Sequence, residues 1–114
     1  MKKESTSEIE YKGEKYELVF NLNVMETIQE EYGSVEKWGD LVEASAKPKA
    51  KDIKFGFTAM LNEGIDIYNE EHEKKRDYFT AKQVGRLLTE IGLSEAAKQL
   101  NKTVVDSTKS DEKN

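Results

Sequence analysis

The chain has 114 residues, with 18 Lys+Arg against 23 Asp+Glu and a net charge of −5, a length that suits one domain. Hydrophobic residues make up 36%, below the roughly 45–50% of an average globular chain, so the core must be small or part of the chain must be tail. The absence of cysteine excludes a disulfide scaffold, a thiolate nucleophile and cysteine-ligated zinc, and the single histidine, His72, excludes His-pair metal motifs. No run approaches the roughly 18 apolar residues that cross a bilayer. Met1-Lys2-Lys3 is followed by no apolar stretch of the kind a secretory signal carries, so the expectation is a cytoplasmic protein.

Residues 1–7 are polar and are expected to be loose. Ile9, Tyr11, Tyr16, Leu18 and Phe20 then alternate on either side of Lys12-Gly13-Glu14-Lys15, the pattern of a β-hairpin with Gly13 at a positive-φ position. Val19 is the one apolar residue on the other face. Two strands are marginal alone, so the Tyr/Leu/Phe face must lie on helices. Asn23 with Glu26 resembles a capping box, after which Val24, Met25, Ile28 and Tyr32 share a helical face that Gly33 terminates. Ser34 opens a second, short helix with Val35, Trp38, Val42 and Ala46 in a stripe flanked by Leu41; Gly39 weakens it and Pro48 bars its continuation.

The longest helix is predicted from about Asp52 to the Glu70–Lys75 region. Ile53, Phe57, Met60, Leu61, Ile67 and Tyr68 fall on one arc together with Gly56 and Gly64. Two glycines on a buried helix face cost roughly 1 kcal/mol each in propensity, which close approach of another element would explain. Phe55 lies nearly opposite that arc and Ile65 at its edge. Thr80 with Gln83 makes another capping box, Val84, Leu87, Leu88 and Ile91 form an amphipathic face, and Gly92 ends that helix. Ser94 opens the last helix, with Ala97, Leu100 and Val104 as a thinner stripe. From Asp106 nothing apolar remains, so 106–114 is expected to be a disordered tail. The expected fold is α+β, mostly α: one domain over 8–105 in which an N-terminal β-hairpin packs on a small bundle of four to five helices.

The sequence offers little catalytic chemistry. His72 is the one conventional imidazole base, and it stands in the charge run Glu70-Glu71-His72-Glu73-Lys74, where a solvated surface residue is expected. The seven glycines never cluster into a phosphate-cradling loop, and the acidic runs lack EF-hand spacing. No enzyme activity, cofactor or metal is expected. Lys74, Lys75 and Arg76 fall where a helix should end, complementing its dipole. Lys47, Lys49, Lys51 and Lys54 surround Pro48 and form the alternative nucleic-acid patch. The candidates for protein binding are Phe55, Ile65 and Trp38: either an exposed contact surface or residues covered by the hairpin and the first helices, with coverage favoured.

The segment Ile9-Glu10-Tyr11-Lys12-Gly13-Glu14-Lys15-Tyr16-Glu17-Leu18-Val19-Phe20-Asn21-Leu22-Asn23, continuing through Val24-Met25-Glu26-Thr27-Ile28-Gln29-Glu30-Glu31-Tyr32-Gly33, resembles the opening of the tail assembly chaperones of long-tailed phages and prophages. Thr80-Ala81-Lys82-Gln83-Val84-Gly85-Arg86-Leu87-Leu88 is similar to the helix that follows the family's variable middle. The resemblance covers residues 9–33 and, more loosely, 80–100. It implies a non-enzymatic factor that binds the tape-measure and tail-tube proteins transiently in the host cytoplasm and leaves the finished particle; self-association is a further partner expectation, separate from the resemblance. The Lys47–Lys54 loop and the Glu70–Asp77 charge run have no counterpart in that pattern.

Overall fold

The alternating segment folds as a two-stranded antiparallel hairpin, β1 (Ser5–Tyr11) and β2 (Glu14–Phe20). The structure, a computed structural model, describes the backbone of residues 5–43 and 47–112 and the side chains of 7–43 and 47–106. Ile9 pairs with Tyr16 and Tyr11 with Glu14, leaving Lys12 and Gly13 as a two-residue turn at φ 52° and 82°. Positive φ at both central residues matches the twist of paired strands, and glycine adopts it without steric cost. Ser5–Ser7, expected to be loose, instead pair with Leu18–Phe20, because β2 offers them a ladder to continue. The remainder of the expected loose terminus, 1–4, lies outside the described residues.

Five helices follow: α1 (Leu22–Tyr32), α2 (Val35–Val42), α3 (Ala50–Glu71), α4 (Ala81–Ile91) and α5 (Leu93–Glu112). The fold is α+β and mostly α, a hairpin on a helical bundle. The cap of α1 is Asn21 rather than Asn23. Asn21 sits in extended backbone directly after β2, and its Oδ1 accepts from the Val24 N–H at 3.2 Å. Gly33 ends α1 at φ 92°, donating to the Gln29 carbonyl, and Ser34 caps α2 by accepting from the Lys37 N–H. Thr80 and Gln83 complete a reciprocal capping box on α4, and Gly92 closes it. The Gly92 carbonyl then accepts from Ala96, so α5 begins at Leu93, one residue before the expected Ser94. No glycine or proline interrupts 93–112, and the helix runs on through the segment from Asp106 that was expected as a disordered tail, as far as Glu112; residues 113–114 lie outside the described residues.

The core gathers Leu18 and Phe20 from β2, Val24 and Ile28 from α1, Trp38 and Val42 from α2, and Ile53, Phe57, Met60 and Leu61 from α3. Ile9 of β1, Val84, Leu87 and Leu88 of α4 and Ala96, Ala97 and Leu100 of α5 complete it. On α3 the buried row is Ile53-Phe57-Leu61-Ile65, each four residues from the last, so Ile65 is interior while Ile67 and Tyr68 are half-buried. Val19, on the hairpin's other face, is also buried, because α3 passes close against β2 there. Both buried-face glycines of α3 mark close approaches. A Cβ on Gly56 would overlap the indole of Trp38, and one on Gly64 would overlap the Glu17 carbonyl of β2. α5 crosses β1, where Ser7 Oγ and Thr103 Oγ1 lie 2.8 Å apart, and Asn101 reaches the Val42 carbonyl at 3.1 Å. Among the described residues no helix is long and apolar enough to cross a membrane.

The connection from α3 to α4 is strapped onto the domain by two asparagines of α3. Asn69 donates to the Arg76 carbonyl and accepts from the Arg76 N–H, at 3.0 and 2.8 Å. Asn62 does the same with Phe79, at 2.9 and 2.8 Å. Seven helical residues rise about 10.5 Å, close to the ~10 Å spanned by three extended residues, so the two pairs stay in step. Phe79 packs on Tyr11 and Tyr16 of the hairpin, with ring centroids 5.7 and 5.2 Å away. The Arg76 guanidinium lies 4.0 Å from the Tyr68 ring and 4.5 Å from that of Tyr16.

Candidate functional site

The first turn of α3 meets the end of α1 and the middle of α2 at one residue, Asp52. Asp52 is 4% exposed and accepts from the Tyr32 hydroxyl at 2.7 Å, while the Trp38 indole N–H donates to the Asp52 carbonyl at 3.1 Å. An acid in the first turn also suits the positive end of the helix dipole. Burial pushes the Tyr32 phenol well above its ordinary range, and the hydrogen bond to Asp52 and that carboxylate's charge push the same way. Phe55 stands edge-on to Tyr32, centroids 5.5 Å apart.

This junction fixes one end of an open groove between α1 and α3. Its volume is about 410 Å³, and its lining is mostly apolar: Tyr32 and Thr27 from α1, Phe55, Thr58 and Ala59 from α3, and Ala81 at the start of α4. Thr27 Oγ1 donates to the Asn23 carbonyl at 3.1 Å and Thr58 Oγ1 to the Lys54 carbonyl at 2.7 Å. With both hydroxyls turned back onto their own helices, the threonines offer methyl groups. Lys51 and Lys54 rim this end together with Glu31. Thr27 and Ala59 also line a second depression of about 220 Å³, which carries the groove along the same helices to Asn23, Asn62, Glu63, Asp66 and Tyr78. There Glu63 accepts from the side-chain amides of Asn21 and Asn23, and Asp66 accepts from the Tyr78 hydroxyl, which raises the Tyr78 pKa.

Of the three residues proposed for protein contact, only Phe55 reaches the surface. Ile65 and Trp38 are each 1% exposed. Ile65 continues the i, i+4 row of the core, and Trp38 fills the space that Gly56 leaves, so neither is a contact residue in this fold. The basic group divides. Lys47 and Lys49 are exposed ahead of α3, whereas Lys51 and Lys54 rim the groove, with the Lys54 chain half-buried beside Gly85. His72 is exposed, its ring stacked 3.7 Å from that of Tyr68. Lys75, four residues beyond the end of α3, reaches back to donate to the carbonyls of Asn69 and His72, while Arg76 crosses to β2, pairing with Glu14 at 3.4 Å. That arginine occupies the aromatic side of a cleft of about 580 Å³ bordered by Tyr11, Tyr16 and Tyr68.

Sequence reasoning missed Thr27, Thr58 and Ala59, which give the groove its floor. The available signal was Phe55 on the outward side of α3 with small residues three and four positions on, a pairing that places them on one strip of helix surface. Asp52 was missed for a different reason: a lone acid at a helix start ordinarily faces water. Compared with known proteins, the chain matches no family model, no curated protein and no solved structure.

Proposed function

We propose that this protein is a tail assembly chaperone of the long-tailed phage type, working in the host cytoplasm by reversible binding of the tape-measure and tail-tube proteins. The observation that carries the reading is the position of the segment with the family resemblance. Residues 23–33 cover α1 from its second residue to its Gly33 cap, and Thr27, Glu31 and Tyr32 of that helix line the apolar groove. Open apolar grooves flanked by charge are the usual receptors for helical or extended segments of partner proteins. Weak, reversible capture suits a factor that departs after assembly.

The test is co-expression of the tagged chain with the tape-measure and tail-tube proteins encoded beside it. A complex with either, lost on Ala59→Arg, is the expected result; recovery of neither, with both confirmed present, overturns the reading. The exposed Lys47 and Lys49 with Lys51 and Lys54 keep a nucleic-acid module as the second reading. It requires binding to duplex DNA that weakens steeply between low and physiological salt.

A further inference from the structure

We propose that the groove holds a single amphipathic helix of the partner, about 15 residues long, lying antiparallel to α3 with its N-terminus at Glu63 and Asp66. This deepens the reading above and rests on it only in taking the occupant to be another protein. Three features of the groove point to that occupant.

The first is shape. The two depressions share Thr27 and Ala59, so they form one trough between two helices that run in opposite directions: Asn23 of α1 faces the Asp66 end of α3, and Tyr32 faces the Asp52 end. From Lys51 to Asp66 is 15 helical residues, about 22 Å, four turns of a docked helix. The second is the floor. Thr27, Thr58 and Ala59 are small, the threonine hydroxyls are satisfied within their own helices, and aromatic rings stand at the two ends, Tyr32 and Phe55 at one and Tyr78 at the other. A third helix can therefore approach closely along the middle and seat a large side chain against Phe55.

The third feature is polarity. One end carries Lys51 and Lys54 against Glu31, with the exposed Lys47 and Lys49 just ahead in the chain; the other carries Glu63 and Asp66 among neutral amides. A helix presents free N–H groups and positive potential at its N-terminus, and free carbonyls and negative potential at its C-terminus. The arrangement of lowest energy sets the docked N-terminus on the two acids and its C-terminus on the two lysines. It also favours Lys or Arg in the partner's first turn and Asp or Glu in its last.

A surface-displayed library of 15-residue helices, with a fixed apolar stripe and randomised charges in the first and last turns, tests this against the full-length chain. Selection is expected to enrich bases in the first turn and acids in the last, with the charge-reversed peptide binding at least tenfold more weakly. Lys51→Glu with Lys54→Glu, both on the groove's rim, is expected to abolish or invert that preference, and circular dichroism checks that the variant folds. A spin label on the peptide N-terminus is expected to broaden the amide signals of Glu63 and Asp66 rather than those of Lys51 and Lys54. Failure to enrich any helix, the opposite charge order, broadening at the lysine end, or groove signals that shift with protein concentration alone (a second copy as occupant) would each overturn it. The selection contains no phage protein, so its failure leaves the co-expression result standing, and failure of co-expression leaves the selected helix and its direction standing.

Discussion

The two halves of α3 are held by different kinds of neighbour. In the N-terminal half α3 meets the side chains of its neighbours: Gly56 accommodates the Trp38 indole, whose N–H donates to the Asp52 carbonyl, and the Asp52 carboxylate accepts from the Tyr32 hydroxyl. In the C-terminal half the contacts reach backbone: Gly64 lies against the Glu17 carbonyl, and Asn62 and Asn69 clasp the peptide groups of Phe79 and Arg76. A side chain can rotate or be exchanged for a smaller one. A strand carbonyl fixed in a ladder can do neither. The two glycines are therefore expected to tolerate change unequally, although the sequence presents them as equivalents on one helix face.

Gly64→Ala should produce the largest effect, a loss of about 3 kcal/mol or more, since the added methyl must displace α3 from β2. In a domain of this size that is a fall in Tm of about 10 °C or more, read by thermal denaturation. A gain of roughly 0.5–1 kcal/mol, as helix propensity alone would give, would erase the contrast between the halves. Gly56→Ala should cost less, about 2 kcal/mol, and the cost should depend on its neighbour. In a Trp38→Phe background, where the outer ring of the indole is gone, the penalty should fall below about 1 kcal/mol, a coupling that a double-mutant cycle isolates. Equal penalties in both backgrounds would mean that the indole is not what limits the site.

The smallest effect belongs to Tyr32→Phe, about 1 kcal/mol at neutral pH through loss of the bond to Asp52. Its signature is in alkali. The folded phenol holds its proton above the unfolded value of 10.0. Above that pH the folded state therefore binds more protons than the unfolded one, so stability is complete below it and falls as pH rises beyond it. Urea melts from pH 9 to 11 should show a shallower decline in the variant than in the parent. Identical slopes would indicate that Tyr32 titrates alike in both states.

What could be read from the sequence was whatever local chemistry dictates. The hairpin alternation, the Thr80–Gln83 box and the terminating Gly33 and Gly92 each depend on residues within a few positions of one another, and they fold as expected. Gly56 and Gly64 were legible as a cost that needed a reason, although not as to which neighbour supplied it. The cap moved from Asn23 to Asn21 because both asparagines precede plausible first turns, and only the end of β2 decides between them. The asparagine clasps span 7 and 17 residues and leave no periodic trace. The groove was half legible: Phe55 stood out as an outward aromatic, but the partner wall on α1 comes from tertiary packing, which also buried Trp38 and Ile65.

The matched spacing of the two asparagine clasps sets where this chain can change length. Arg76 and Phe79 are each bound to a fixed turn of α3, so an inserted or deleted residue between them would put one clasp out of register. Glu73 and Lys74 are exposed and hold neither clasp, so added residues there would bulge into solvent and leave Phe79 seated on the hairpin. Loop growth in this lineage would therefore be confined to the few residues just past the end of α3, with the stretch from Arg76 to Phe79 constant in length however its exposed side chains vary.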